Sequence, residues 1–323
     1  MDKVKIGFIG TGGIANTHLD NLARMEDVEI TALCDVVKEK AEAAGQKFGG
    51  KVYLDYRRML EKEKLDALYI CVPPFAHQNQ ELIACQKKIP FFVEKPVTLS
   101  LEKAREIEAQ VRKSGIITSV GYVLRYMDIV EKTTKILAGR TLGMITGTYY
   151  GGVPGQNWLI KKNRGGGQLV EQATHIVNLM LFFGGEVTEV YSRPFSGIIN
   201  KSIPGYDVED ASVTIFGFTN GTIGSINCTW LAFGFKSSLG IVTDNLQVDW
   251  NPITTLQVTT AEKKEEYTVK NDFGFAEHRI FIDAVKTGNR KSILCDYSEG
   301  VKTLKATLAA VKSMETGKPV KVT

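Results

Sequence analysis

Val4-Lys5-Ile6-Gly7-Phe8-Ile9-Gly10-Thr11-Gly12-Gly13-Ile14-Ala15 is the stretch that decides the fold. Its first six residues read as a buried strand, and the glycines after them as a tight turn into a helix. Gly10-x-Gly12-x-x-Ala15 has the spacing that lets a helix N-terminus approach a pyrophosphate through backbone amides, with alanine allowed at the third position. Glycines alone equally make a turn and nothing more. A second strand over Val28–Cys34 ends at Asp35, about 20 residues on, where a carboxylate accepts hydrogen bonds from both ribose hydroxyls and repels a 2′-phosphate. With strand, turn, helix, strand and acid in register, the reading is a dinucleotide site. Gly10, Thr11, Gly12, Gly13, Ile14 and Asp35 are its expected contacts and NAD its cofactor, while Lys38 leaves NADP use open.

Outward from this stretch, apolar runs at 67–72, Phe91–Val93 and 116–120 alternate with helical patterns at 14–24, 38–47, 76–87 and 101–113. Such alternation predicts an N-terminal doubly wound parallel sheet with helices on both faces. From about Met144 the pattern turns β-rich around one strong helix at 166–183. Asn220-Gly221 between the runs Ala211–Phe218 and 222–230 marks a hairpin, since both residues tolerate positive φ. Further strands are expected at 238–243, 246–250, 254–259 and 265–269. The fold class is therefore α/β, with a C-terminal α+β domain built on a large, mostly antiparallel open sheet. The expected division is 1–121 for the cofactor domain and 122–323 for a substrate-binding and oligomerisation domain, whose last helix packs back on the first. Helices cover one face of the second sheet, and the other face is left free for a partner subunit.

A chain of 323 residues exceeds the size at which one core stops growing, in keeping with two domains. Its 40 basic and 36 acidic residues are interspersed and leave a formal charge of +4, which argues against nucleic acid or a membrane surface as partner. Five scattered cysteines without a C-x-x-C pair fit a reduced, cytoplasmic setting and no zinc site. No stretch approaches the roughly 20 apolar residues that span a bilayer. The expected partner is a small molecule.

Two more segments carry chemistry. Glu94-Lys95-Pro96 follows the strand Phe91–Val93, where the proline biases Lys95 away from helix and allows a cis bond. An ammonium at a strand end of such a sheet can hydrogen-bond a substrate oxygen and stabilise its developing negative charge. The loop Val72-Pro73-Pro74-x-x-His77 ends another strand and forms a stiff wall for the cofactor, His77 being either a contact or a plain helix residue. On the helix 166–183, with about 100° per residue, Gln168, Glu171, Thr174, His175 and Asn178 share one polar stripe opposite Leu169, Ala173, Ile176 and Met180. That stripe has no lysine or arginine, which suits a polar pocket better than bulk water. Glu171 and His175 stand four apart, so a carboxylate can orient an imidazole that takes a hydroxyl proton while hydride leaves the same carbon. Metal binding by this pair is the weaker reading, because no third ligand is identifiable.

These residues resemble the Gfo/Idh/MocA family of oxidoreductases: Gly10-x-Gly12-x-x-Ala15, Asp35, Pro73-Pro74-x-x-His77, Glu94-Lys95-Pro96, and Gly165-Gly166-Gly167-x-Leu169-x-Glu171-x-x-x-His175. The resemblance implies a Rossmann domain followed by an open-sheet domain, often assembled into dimers or tetramers. It implies Lys95 and His175 as catalytic residues and sugars, sugar derivatives or cyclitols as substrates. The family commonly has aspartate where this chain has Glu171 and often another where it has Asn178, so the pocket is reshaped and no named substrate transfers. Tyr122, Arg125, Tyr149, Tyr150, Trp158 and Arg164 are further candidate contacts, aromatic faces and guanidinium groups that suit a polyhydroxylated ring. The leading expectation is a dehydrogenase interconverting a secondary alcohol and a ketone. Its alternatives are a redox-neutral, NAD-dependent glycosidase and a nucleotide-sensing regulator without chemistry.

Overall fold

The computed structural model describes residues 3–322. In chain order the first elements are β1 (Val4–Ile9), α1 (Gly13–Ala23), β2 (Val28–Cys34), α2 (Lys38–Phe48), β3 (Lys51–Tyr53), α3 (Tyr56–Lys62), β4 (Ala67–Ile70), α4 (Gln80–Lys87), β5 (Phe91–Val93), α5 (Leu101–Ser114) and β6 (Thr118–Val120). There follow α6 (Asp128–Leu137), β7 (Leu142–Gly152), α7 (Lys162–Gly165), α8 (Gln168–Glu171), α9 (Thr174–Gly184), β8 (Val187–Phe195), β9 (Ala211–Phe218), β10 (Ile223–Thr229) and β11 (Leu231–Thr243). The chain closes with β12 (Gln247–Trp250), β13 (Thr255–Thr259), β14 (Lys264–Thr268), α10 (Phe273–Thr287), α11 (Tyr297–Thr316) and β15 (Val320–Lys321).

The chain divides into two units. The first runs to Tyr126 and resumes from Asp272 to Val301, while the second comprises Met127–Asn271 and the residues from Lys302. The cause of this return is tertiary. Phe281, Ile282 and Ala284 of α10 bury into the same core as Phe8, Tyr69 and Phe92. Arg279 and Lys286 also clamp Asp27 at 2.8 and 2.6 Å.

In the first unit the strands lie in the order β3-β2-β1-β4-β5-β6, all parallel. The order reverses between β1 and β4, the point where an open α/β sheet takes its ligand. Buried on both faces, the central strands β4 and β5 are continuous apolar runs rather than alternating ones. Phe8, Tyr69 and Phe92 from three neighbouring strands stack with ring centroids 4.8 and 4.9 Å apart. α5 is bounded as its sequence demands: Ser100 accepts from the Lys103 amide at the start, and Gly115 adopts φ 67° at the end.

The second unit is a nine-stranded sheet in the order β14-β13-β12-β11-β7-β10-β9-β8-β15. Every pairing is antiparallel except β10 with β7. α9 lies on one face, where Ile176 and Met180 meet Ile145 and Ile226, all fully buried. The helix sits so close that a Cβ on Gly147 would fall 2.7 Å from Ile176 Cγ2. On the other face Val242, Met144 and Ile223 line up in one row across β11, β7 and β10, with Ile215 and Val213 beside them on β9, all exposed. Among the described residues no helix is long and apolar enough to cross a membrane.

Candidate active site

The carboxyl ends of the parallel strands bring most of the sequence-derived residues together: the glycine turn after β1, Asp35 after β2, the proline loop after β4 and Glu94-Lys95-Pro96 after β5. Backbone bonds hold these ends in register, Gly10 N–H on Cys34 O at 2.8 Å, Cys71 N–H on Ile9 O at 2.8 Å and Glu94 N–H on Ile70 O at 2.9 Å. Gly10 has φ +88°, and a Cβ there would lie 2.3 Å from the Cys71 carbonyl oxygen, so only glycine fits.

Gly12 and Gly13 differ, since a Cβ on either would meet nothing within 4 Å. The N-cap of α1 is Gly12, with no side-chain cap and no acidic residue in the first turn. Its leading amides therefore face open space with the positive end of the helix dipole behind them, which fits a pyrophosphate. Asn16 steadies the turn by donating to Thr11 O and Gly12 O at 3.0 and 2.9 Å. Asp35 Oδ2 accepts from the Thr11 amide at 2.9 Å and from its hydroxyl at 3.2 Å, and Oδ1 accepts from Val37 N–H at 2.9 Å. The carboxylate braces the turn and keeps lone pairs for ribose hydroxyls. Val36 and Ile14 flank it as exposed apolar surface.

Val72 and Pro73 are half-buried at the end of β4, and Pro74 opens a short 3₁₀ turn. The His77 imidazole is turned inward, with Nδ1 2.5 Å from Glu81 Oε1 in a buried pair. After β5, Lys95 is half-buried, its bond to Pro96 is cis, and its amide donates to Glu94 Oε2 at 3.0 Å. Tyr122 is buried in the same unit. Arg125 is buried as well, and its Nη1 donates to the Leu294 carbonyl and lies 3.2 Å from Glu299 Oε2. Those bonds anchor the return segment.

In the second unit the expected helix over 166–183 is broken. α8 ends at Glu171 and α9 begins at Thr174, with the Ala173 amide reaching back five residues to Gln168 O at 2.9 Å. Two side chains pin this corner to the end of β10: Gln168 donates to Thr229 O at 2.9 Å, and Gln172 accepts from Trp230 Nε1 at 2.8 Å. The angular stripe drawn through 166–183 therefore does not carry from Glu171 to His175 as one helix. Its members are nonetheless withdrawn from water: Gln168, Glu171, Thr174 and Asn178 are buried and His175 is half-buried. Asn178 donates to Thr303 Oγ1 at 2.8 Å. Tyr149 packs edge-on against Phe235 with centroids 5.2 Å apart. Tyr150 and Trp158 are half-buried, and Arg164 is exposed on α7.

Two residues of interest escaped the sequence reading. Glu209, just before β9, accepts from the Gln168 amide and so caps α8, and burial pushes its carboxyl up from the ordinary range. Nothing local in the sequence pairs it with a glycine turn some forty residues earlier. His18 was legible in principle, because it falls in the buried stripe Ala15, His18, Leu19, Leu22 of α1.

Residues 4–122 match the model of an oxidoreductase family with an NAD-binding Rossmann fold. Residues 138–248 match the C-terminal domain model of the same Gfo/Idh/MocA group. The chain is 25% identical to myo-inositol 2-dehydrogenase of Thermotoga maritima, over 99% of this chain and 98% of that one. It is 23% identical to the NAD⁺-dependent scyllo-inositol 2-dehydrogenase of Bacillus subtilis, over 99% and 96%. Among solved structures, levoglucosan dehydrogenase in complex with NADH and L-sorbose has the same fold, with TM-score 0.90, 21% identity and full coverage of both chains.

Proposed function

Because the chain belongs to the Gfo/Idh/MocA family of NAD-binding oxidoreductases, we propose that it interconverts a secondary alcohol and a ketone on a sugar, a sugar derivative or a cyclitol. The observation that carries this reading is the location of Lys95, at the strand end next to the switch point of the sheet that also presents the glycine turn. The names of the full-length relatives support the substrate class.

In this reading the leading amides of α1 and the Asp35 carboxylate hold the dinucleotide, with Val72, Pro73 and Pro74 as the wall of its site. Bound NAD supplies the hydride acceptor. The Lys95 ammonium hydrogen-bonds the substrate oxygen and stabilises the negative charge that grows there as its proton departs. His175 receives that proton, an imidazole being suited to proton exchange near neutrality, and Glu171 orients the ring. Asp35, with no basic residue at 36 or 37 to receive a 2′-phosphate, favours NAD over NADP. Trp158, Tyr149 and Arg164 are the remaining candidates for ring contacts. A second copy of the chain covers the exposed apolar row on the open sheet face.

The test is a spectrophotometric screen of the purified protein with NAD and NADP against sugars and cyclitols. Growth of the reduced-nicotinamide band with members of the panel is the expected result. Tight NAD binding without turnover of any member overturns the reading.

A further inference from the structure

The first unit buries a continuous line of polar side chains that the reaction described above does not use. Tyr69 Oη lies 3.3 Å from His278 Nδ1, His278 Nε2 lies 2.9 Å from His18 Nδ1, and His18 Nε2 lies 2.9 Å from Glu94 Oε1. The second oxygen of Glu94 accepts the Lys95 amide at 3.0 Å. The line is enclosed by aromatic rings, with Phe92 5.2 Å from His18 and 5.3 Å from His278 between centroids. None of its four members is more than 7% exposed.

We propose that His18 and His278 are positioning residues for Lys95, ending a one-directional hydrogen-bond chain on the Glu94 carboxylate and thereby fixing the backbone from which the lysine projects. This rests on the catalytic reading of Lys95. The direction follows from donor counting. A carboxylate only accepts, so His18 Nε2 carries the proton, and a neutral His18 then accepts at Nδ1. His278 Nε2–H is the donor that meets that requirement, which leaves His278 Nδ1 to accept from the Tyr69 hydroxyl. Every bond then points toward Glu94, and each polarises the next.

The chain holds but does not conduct. Burial pushes the Tyr69 hydroxyl well up and the His278 imidazole well down, so neither changes charge near neutral pH. The far end has no outlet to water, since Tyr69 and His278 are fully enclosed and the adjacent Glu277 carboxyl is buried and held neutral by burial and by the charge of Glu94. Cys71, which feels the charge of Glu94, is pushed up chiefly by burial. A group that neither takes up nor releases protons contributes by geometry.

The experiment uses the full chain. Selective ¹⁵N-histidine labelling is tractable because the sequence has four histidines. At about pH 8, above the ordinary imidazole range, both His18 and His278 are expected as Nε2–H tautomers, assigned by single His→Gln variants. An Nδ1–H tautomer at His18 overturns the proposal. In parallel, His278→Leu should lower kcat by up to about a hundredfold, the scale of a small misplacement of a reacting group. NAD affinity, read by fluorescence titration, should stay within about twofold, since no dinucleotide contact is lost. His278→Gln, whose amide donates to His18 and accepts from Tyr69, should recover most of kcat. A leucine variant that folds and turns over like the parent leaves these residues a purely architectural role and overturns the proposal. The tautomer measurement needs no turnover, so a chain without dehydrogenase activity fails the functional reading separately from this one.

Discussion

The Asp35 carboxylate accepts the Thr11 amide at 2.9 Å, so the acid that ends β2 is tied directly to the turn that ends β1. One side chain therefore shapes the turn and is proposed to meet the ribose. Asp35→Ala should weaken NAD binding by about tenfold or more, the scale of hydrogen bonds to a charged group. The ratio of NADP to NAD affinity should rise because the repelling charge is gone. Fluorescence titration with both cofactors checks it, and unchanged NAD affinity removes Asp35 from the site.

The glycines of the same turn should separate fold from ligand. Gly10→Ala combines a positive φ with a clash against the Cys71 carbonyl and should cost about 2–4 kcal/mol of stability. Gly12→Ala meets no protein atom within 4 Å and should leave the melting temperature nearly unchanged while weakening NAD binding. Calorimetry and NAD titration on the two variants show whether the contrast holds.

Lys95→Met and His175→Asn should each retain NAD binding while kcat falls by about 10²–10⁴, the range for loss of a charge-stabilising group or a general base. Steady-state kinetics with the best substrate of the panel, beside NAD titration, checks both. Wild-type kcat in either variant withdraws that residue from the chemistry.

Glu277 gives a pH-dependent stability with a definite sign. Burial raises its carboxyl well above the ordinary 4.5, and neither oxygen has a hydrogen-bond partner among the described residues. Its favourable contribution is complete below pH 4.5, where folded and unfolded chains are both protonated, and is lost as pH rises toward the folded-state value. His278 acts at the other end: lowered well below 6.5, it leaves the folded state unprotonated while the unfolded chain takes up a proton, so stability declines as pH falls below 6.5. Glu277→Gln should therefore raise the melting temperature at pH 7–8 and leave it unchanged below about pH 4. Melting curves across that range test the sign, and a gain that does not grow with pH refutes it.

The open sheet face yields a prediction about assembly. Ile215→Lys places a charge beside the exposed row Val242, Met144 and Ile223. If a second copy covers this face, light scattering after size exclusion should show the variant as monomer with unchanged circular dichroism. A parent chain that is itself monomeric overturns the assembly proposal.

What the sequence revealed divides by range. The turn at Gly10, the acid at 35 and the Glu94-Lys95-Pro96 segment were legible because glycine geometry, strand periodicity and a cis-compatible proline are local properties. The break between Glu171 and Thr174 was not, since no glycine or proline interrupts the helical period there. It is imposed by Trp230 and Thr229, which hold Gln172 and Gln168 from another strand. Arg125 and His77 carry chemistry-bearing side chains, yet their partners, Leu294, Glu299 and Glu81, are settled only by the folded chain. The edge strand β3, Lys51-Val52-Tyr53, was missed because it is exposed to half-buried and offers no buried apolar run like that of the equally short β5.

Because α10 completes the first core only after β7 to β14 of the second sheet have been made, synthesis leaves the cofactor unit unfinished until late. A nascent chain halted before Phe273 already owns its phosphate turn, its acid and its lysine, but His278 has not yet emerged to set the proton on His18. On the proposed roles of Lys95 and His278, the C-terminal excursion is a timer: competence for chemistry arrives with the last helices translated, rather than with the motif that names the fold.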